Sequence, residues 1–310
     1  MSLCFSCGKK ITAQGDIHPA CLRKLFGVDY LPAIDLSLQE ISIKAQKMVG
    51  KLSISGVQPK LSLIFAKKNK KLEVTAEGGN YILKPQVQTF RNLPQNENLC
   101  MTIAARLNID VPPHALVKLK DDSPAYIVKR FDRVKNKKIH QEDFFQALGK
   151  KGKYSGSLEQ VGKKLREISR FPGLDAQFFF ERVLLFFIIG NGDAHMKNFS
   201  VIYEDTGGIR LSPAYDIVSS KLVIPGEEDF ALPMNEKKNN LSRGDFKKFS
   251  DYLDIPSKAY DNILARFSAG KSIIENLCLG SALEKEEKEI FLAIVNERYG
   301  RLLPLRTGSL

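Results

Sequence analysis

The chain has few of the features that mark a protein for export, for a membrane or for an oxidised scaffold. Its first residues, MSLCFSCGKK, hold no apolar core of a secretory signal, and no stretch approaches the roughly 20 apolar residues that a membrane helix needs. The longest apolar run, Phe178 to Ile189, is broken by Glu181 and Arg182. It reads as a buried helix of a soluble, cytoplasmic protein with no membrane partner. Cysteine is scarce and odd in number, five in 310 residues, which argues against a disulfide framework. Neither the phosphate-loop pattern nor the dinucleotide glycine pattern occurs, and no internal repeat is visible. No basic recognition helix, zinc-finger array or aromatic stacking motif marks a direct reader of nucleic acid. Acidic residues are also short in supply, 35 against 47 Lys and Arg, for a net charge of +12. That surplus favours acidic partners without choosing among nucleic acid, nucleotide phosphates and acidic protein surfaces. Runs such as AKKNKK (66–71) and LGKKGK (148–153) read first as solvated loops.

What is present is ordinary globular composition, 43% hydrophobic and 26% charged, at a length that suits two modest domains or one two-lobed unit. Residues 1–30 form a small Cys/His segment. Beyond it, LSLIF and KLEVT flank the polar AKKNK as a hairpin, NYILKP adds a strand, and helical spacing of Leu99, Ile103, Ala104 and Leu107 predicts a helix over Asn96 to Leu107. VPPHALVKL and AYIVKRFD are extended. From HQEDFFQALG onward helices dominate, interrupted by a hairpin at NFSVIY and IRLSP. The organisation is α+β: a strand-rich half over 31–129, a helical half over 130–310, and a seam near Arg130 to Arg133. Clefts at such seams commonly hold small ligands.

Several patterns carry chemistry. Cys4-x-x-Cys7 and His18-x-x-Cys21 are two close ligand pairs of the kind that a structural Zn²⁺ uses, with a reduced, metal-free cap as the alternative. Cys100 and Cys278 read as single core thiols. In GNGDAHMKN, Gly190 stops the apolar helix, and Asp193 and Asn198 lie five residues apart on the following loop. A carboxylate that takes a proton from a hydroxyl, with a carboxamide oxygen and the later Asp216 free for Mg²⁺, suits phosphoryl transfer. A plain Gly-Asn-Gly-Asp turn is the alternative. His195 is either a loop-orienting group or a packed structural histidine. Lys84, at the end of an apolar strand, is a point charge for phosphates, and Glu97 is placed to pair with it. The turn in LSISGVQPKLSL offers the backbone of Ser55, Gly56 and Val57 and the charge of Lys60 to phosphate oxygens, and exposes the hydroxyls of Ser53 and Ser55. At the seam, backbone groups over Val128 to Arg130, including Lys129, are candidates to bond an adenine edge with Phe131 packed beneath.

In order, SISGVQPKLSL, YILKP, NEN, YIVKRFDR, HQEDFFQALG, GNGDAHMKNFSV and LSPAYDIVS resemble the HipA family of bacterial serine/threonine kinases, toxins of toxin–antitoxin systems. The likeness covers roughly Lys51 to Ser220, and the chain is most similar to the short HipT members because its first motif starts near residue 53. The resemblance implies a two-lobed protein-kinase-like fold, also akin to phosphoinositide kinases, with ATP and Mg²⁺ as cofactors. It implies Asp193 as catalytic base, Asn198 and Asp216 as metal ligands, Lys84 as the phosphate-binding lysine, and autophosphorylation on Ser53 or Ser55. It further implies an aminoacyl-tRNA synthetase as substrate, a helix-turn-helix antitoxin that alone contacts DNA, and a small separate protein in place of the N-terminal subdomain of longer members. The Cys/His segment lies outside the family's common core. Two other readings stand beside this one: a kinase of a lipid or small molecule, and a non-catalytic nucleotide-binding module of a repressor complex.

Overall fold

The computed structural model describes residues 3–11, 15–48, 59–134, 137–205 and 207–303. The Cys/His segment leads into α1 (Pro19–Phe26), which starts on a proline and ends where Gly27 adopts φ 78°. Both signals are those of a helix with nowhere further to go. Then α2 (Leu38–Met48) begins at Ser37, whose Oγ accepts from Glu40 N–H while Glu40 Oε2 accepts from Ser37 N–H.

The first sheet is built from β1 (Leu61–Ala66), β2 (Lys71–Val74), β3 (Tyr81–Pro85), β4 (His114–Lys118) and β5 (Pro124–Lys129), in the order β2-β1-β3-β5-β4 with every pair antiparallel. Strand alternation decides what each face sees. Leu61, Leu63, Leu83, Ala125 and Ile127 turn to one side, into a core with Ile17, Leu22, Leu25 and Phe26 from the first segment. Tyr126 and Val128 turn to the other side, toward α3 (Leu93–Arg106) and the larger core. Helix α3 starts three residues before the periodicity predicts, because Pro94 in its first turn lacks the N–H that would otherwise be unpaired there.

After β5 come the short pair β6 (Arg133–Val134) and β7 (Lys137–Lys138), then β8 (Gln141–Asp143) and α4 (Phe144–Ala147). Helices α5 (Leu158–Ile168) and α6 (Pro172–Ile189) precede β9 (Ser200–Tyr203) and β10 (Ile209–Leu211). The last two strands form a second sheet with β8, in the order β10-β9-β8. The chain finishes with α7 (Ser220–Val223), α8 (Arg243–Tyr252), α9 (Ser257–Ala269), α10 (Lys271–Leu279) and α11 (Lys285–Leu302). Helix α6 is the centre of this half. Its Phe179, Phe180, Phe186 and Phe187 are fully buried and meet Phe199, Phe246 and Phe230 edge-on or tilted, while Phe180 also stacks on Phe249. Each such ring contributes about 1.5–3 kcal/mol by leaving water. The two charged residues inside the run are also buried, and both are paired: Glu181 with Arg266 at 2.6 Å, Arg182 with the carbonyl of Ser212. Among the described residues no helix is long and apolar enough to cross a membrane.

Candidate active site

Strand β3 and helix α3 create the first half of the site. Since Leu83 faces the N-terminal core, its neighbour Lys84 must face α3, where it is 4% exposed. Its Nζ donates to Glu97 Oε1 at 2.5 Å and to Asp216 Oδ1 at 2.5 Å, over the ring of Tyr126. Lys60 reaches the other oxygen of Asp216 at 3.4 Å. Two ammonium groups thus meet two carboxylates. Burial opposes the charge on Lys84, but Asp216 and Glu97 outweigh it and hold the lysine above its ordinary range. Asp216 is likewise opposed by burial, yet Lys84 and Lys60 keep its carboxyl well below the usual carboxylate range. Glu97 is different. At 1% exposure its burial dominates, so even with Lys84 beside it its pKa rises to about 7. The Asp216 backbone sits at φ 58°, uncommon for a residue with a side chain, and that side chain keeps 35% of its surface.

The loop after α6 supplies the second half. Gly190, at φ 69°, ends the helix with its N–H on Phe187 O. The next turn is held from outside: Ser220 Oγ accepts from Gly192 N–H at 2.8 Å and from Asp193 N–H at 3.2 Å, and donates to Glu227 Oε2 at 2.5 Å. Burial, and then the charge of Asp193, raise the Glu227 pKa against that donated bond. Gly192 is required here because a Cβ would stand 2.6 Å from both Glu227 Oε2 and Glu228 O. With its backbone pinned, the Asp193 side chain is exposed, and Tyr154 Oη donates to its Oδ1 at 2.7 Å. Asn198 closes the loop, its Oδ1 accepting from His195 N–H and its N–H donating to His195 O, both at 2.9 Å. The His195 ring is edge-on to Tyr154, and its Nδ1 is buried without a partner. Burial and then Lys153 lower its pKa, so the ring is neutral at neutral pH. The backbone of His195, more than its ring, orients Asn198.

At the seam a cavity of about 530 Å³ is lined by Lys129, Arg130, Phe131, Tyr81, Pro113 and Pro213 among others. None of Lys84, Asp193, Asn198 and Asp216 lines it, so the chemistry of the site does not rest on this cavity. The expected use of the Val128 to Arg130 backbone is corrected in part. Lys129 N–H is bonded to Pro113 O and Arg130 N–H to Asn80 O, both at 2.8 Å, because this segment still belongs to the sheet. Those two donors are not free for an adenine. The Phe131 ring does connect the seam to the site, lying 5.6 Å from the ring of Tyr215, the neighbour of Asp216.

The structure therefore brings Lys60, Lys84, Glu97 and Asp216 into one cluster, and holds Asp193, His195 and Asn198 on one pinned loop. Ser53, Ser55, Gly56 and Val57 lie outside the described residues. Cys4, Cys7, His18 and Cys21 come together in the first segment, with ligand atoms within 4.8 Å of one another. Sequence reasoning missed Tyr154 and Ser220, whose bonds to the loop span 39 and 28 positions, and Glu227, which accepts from Ser220 across 7; none follows a spacing rule. A hard divalent cation such as Mg²⁺ wants oxygen donors. Asp216 offers a partly open, ionised carboxylate, and Asn198 Oδ1 retains a lone pair beyond the one bonded to His195. That donor set fits.

The chain is similar to known proteins. A family model described as HipA-like C-terminal domain matches residues 52–273. A putative kinase of Haemophilus influenzae is 34% identical over 245 residues, covering 72% of this chain and 70% of the relative. The serine/threonine-protein kinase toxin HipA of Shewanella oneidensis is 27% identical over 266 residues, covering 76% of this chain and 60% of that protein. A chain from the solved complex of the Shewanella oneidensis toxin–antitoxin system HipA, HipB and its operator DNA superposes with a TM-score of 0.67 at 24% identity. It covers 84% of this chain and 68% of its own length, and supports the α+β, two-lobed kinase-like fold.

Proposed function

The chain belongs to the HipA-like C-terminal domain family, and we propose that it is an ATP- and Mg²⁺-dependent protein serine/threonine kinase that serves as the toxin of a toxin–antitoxin pair. The observation that carries this reading is Lys84, suspended in a buried site between Glu97 and Asp216. A lysine oriented by a glutamate is what positions nucleotide phosphates in kinases. Here Lys84 binds phosphate oxygens, with Lys60 adding a second cation to the same place. Asp193 takes the proton of the acceptor hydroxyl as its oxygen attacks the γ-phosphorus and the bond to the departing ADP breaks. Its exposure gives an acceptor access, and the Ser220 bonds fix its backbone in advance. Asp216 and Asn198 would hold Mg²⁺, which would neutralise charge that develops on the phosphates.

The finer assignments rest on the same reading. The acceptor is a serine or threonine of a translation protein, an aminoacyl-tRNA synthetase, and in cis Ser53 or Ser55. Phosphate there adds up to about two negative charges, and their repulsion of the nucleotide phosphates shuts the kinase off. The partner is an antitoxin with a helix-turn-helix domain, which carries the DNA contact, and the kinase works in the cytoplasm. Purified chain incubated with γ-labelled ATP and Mg²⁺, alone, with lysate and with lipid vesicles, tests this. Label in protein, on serine or threonine, is the expected result. Label confined to lipid moves the assignment to a lipid kinase, and ATP binding without any transfer refutes catalysis.

A further inference from the structure

The Cys/His cluster shares no residue with the phosphoryl-transfer site. Cys4 Sγ and Cys21 Sγ are 3.9 Å apart, Cys7 Sγ is 3.4 Å from His18 Nδ1, and Cys21 Sγ is 4.0 Å from the same nitrogen. A tetrahedral Zn²⁺ with bonds of about 2.3 Å to sulfur and about 2.0 Å to nitrogen needs ligand-to-ligand edges of roughly 3.5–3.8 Å. The cluster already has nearly those edges. All three cysteines are free thiols. The histidine is also prepared: its Nε2 lies 3.0 Å from the carbonyl oxygen of Lys10, so Nε2 carries the proton and Nδ1 turns its lone pair toward the thiols. Cys4 Sγ further accepts from His18 N–H at 3.3 Å.

The turn that carries the first two cysteines touches three other elements. Phe5 O accepts from Leu116 N–H on β4, the outer strand of the first sheet. Gly8 O accepts from Arg106 on α3, and a Cβ at Gly8, which sits at φ 64°, would strike Leu277 of α10 at 2.3 Å and Thr102 of α3 at 2.7 Å. We propose that Cys4, Cys7, His18 and Cys21 form a closed structural Zn²⁺ site, and that the metal clips the first segment across the sheet edge onto α3 and α10. Three thiolates and one imidazole in tetrahedral array select zinc over harder cations. Because α3 carries Glu97, the clip also steadies the partner of Lys84.

The test uses the full chain purified from zinc-supplemented culture. Elemental analysis should give about one zinc per chain, and cobalt exchanged into the site should show tetrahedral bands with thiolate charge transfer. Cys7→Ser and Cys21→Ser should each lose the metal. After denaturation in chelator all five cysteines should titrate as thiols. Hydrogen exchange over residues 93–106 should speed up when chelator strips the metal from native protein. Absence of metal from the wild type, retention of full zinc by both variants, or only three titratable thiols would each overturn the site. Unchanged exchange over 93–106 after metal loss would overturn the clip.

Discussion

Replacing Lys84 by Met removes one cation from a buried cluster and leaves its length nearly intact. Asp216 keeps Lys60 at 3.4 Å, but Glu97, 1% exposed, is left without the ammonium that stood 2.5 Å away. Breaking a buried pair on one side costs about 3–5 kcal/mol if the survivor stays charged. Glu97 has a way out, since burial already lifts its pKa to about 7 with the lysine present. Without Lys84 it rises further, so the folded variant keeps a proton that the unfolded chain, near the ordinary glutamate value of about 4.3, has given up. The sign follows. A carboxyl that is more basic in the folded state makes stability fall as pH rises between the two pKa values. In the wild type this fall ends near pH 7, whereas in Lys84→Met it continues, so the gap between them should widen by about 1.4 kcal/mol for each pH unit above 7. Adding Glu97→Gln should remove that pH dependence and restore most of the lost stability. Urea denaturation of the three proteins across neutral pH is the assay. A gap that stays constant from about pH 7 to 8, or no repair by the second change, would refute the account of Glu97 as the stranded charge.

Two further predictions concern the loop. Ser220→Ala removes the acceptor of two N–H groups and the donor to Glu227; phosphoryl transfer should fall on the order of 100-fold through misplacement of Asp193, with the drop in kcat and ATP affinity unchanged in steady-state kinetics. Gly192→Ala places a methyl 2.6 Å from Glu227 Oε2 and Glu228 O, and should cost about 1–3 kcal/mol in thermal or denaturant unfolding while also depressing transfer. A fully active Gly192→Ala protein would mean the loop does not need its present path.

Much of this arrangement is legible in the sequence because local rules suffice for it. Gly190 at the end of an apolar run marks a helix stop, the two-residue period of YILKP sends Lys84 away from Leu83, and Glu97 is placed on the helix facing that strand. What stays hidden depends on tertiary folding. Ser220 holds a loop 28 residues upstream, Lys60 reaches Asp216 across 156 positions, and Tyr154 reaches Asp193 across 39. No spacing predicts such contacts. The seam shows the opposite case: VKRF looks free to offer backbone donors, but sheet pairing takes the N–H groups of Lys129 and Arg130.

Asp193, held in position by its loop, is proposed as the base of the kinase. Asp193→Asn keeps the shape and the Ser220 bond to its N–H but cannot accept the acceptor's proton. Calorimetric ATP binding with Mg²⁺ should match the wild type, while transfer of γ-labelled phosphate to protein should vanish. Transfer at the wild-type rate by Asp193→Asn would contradict the claim.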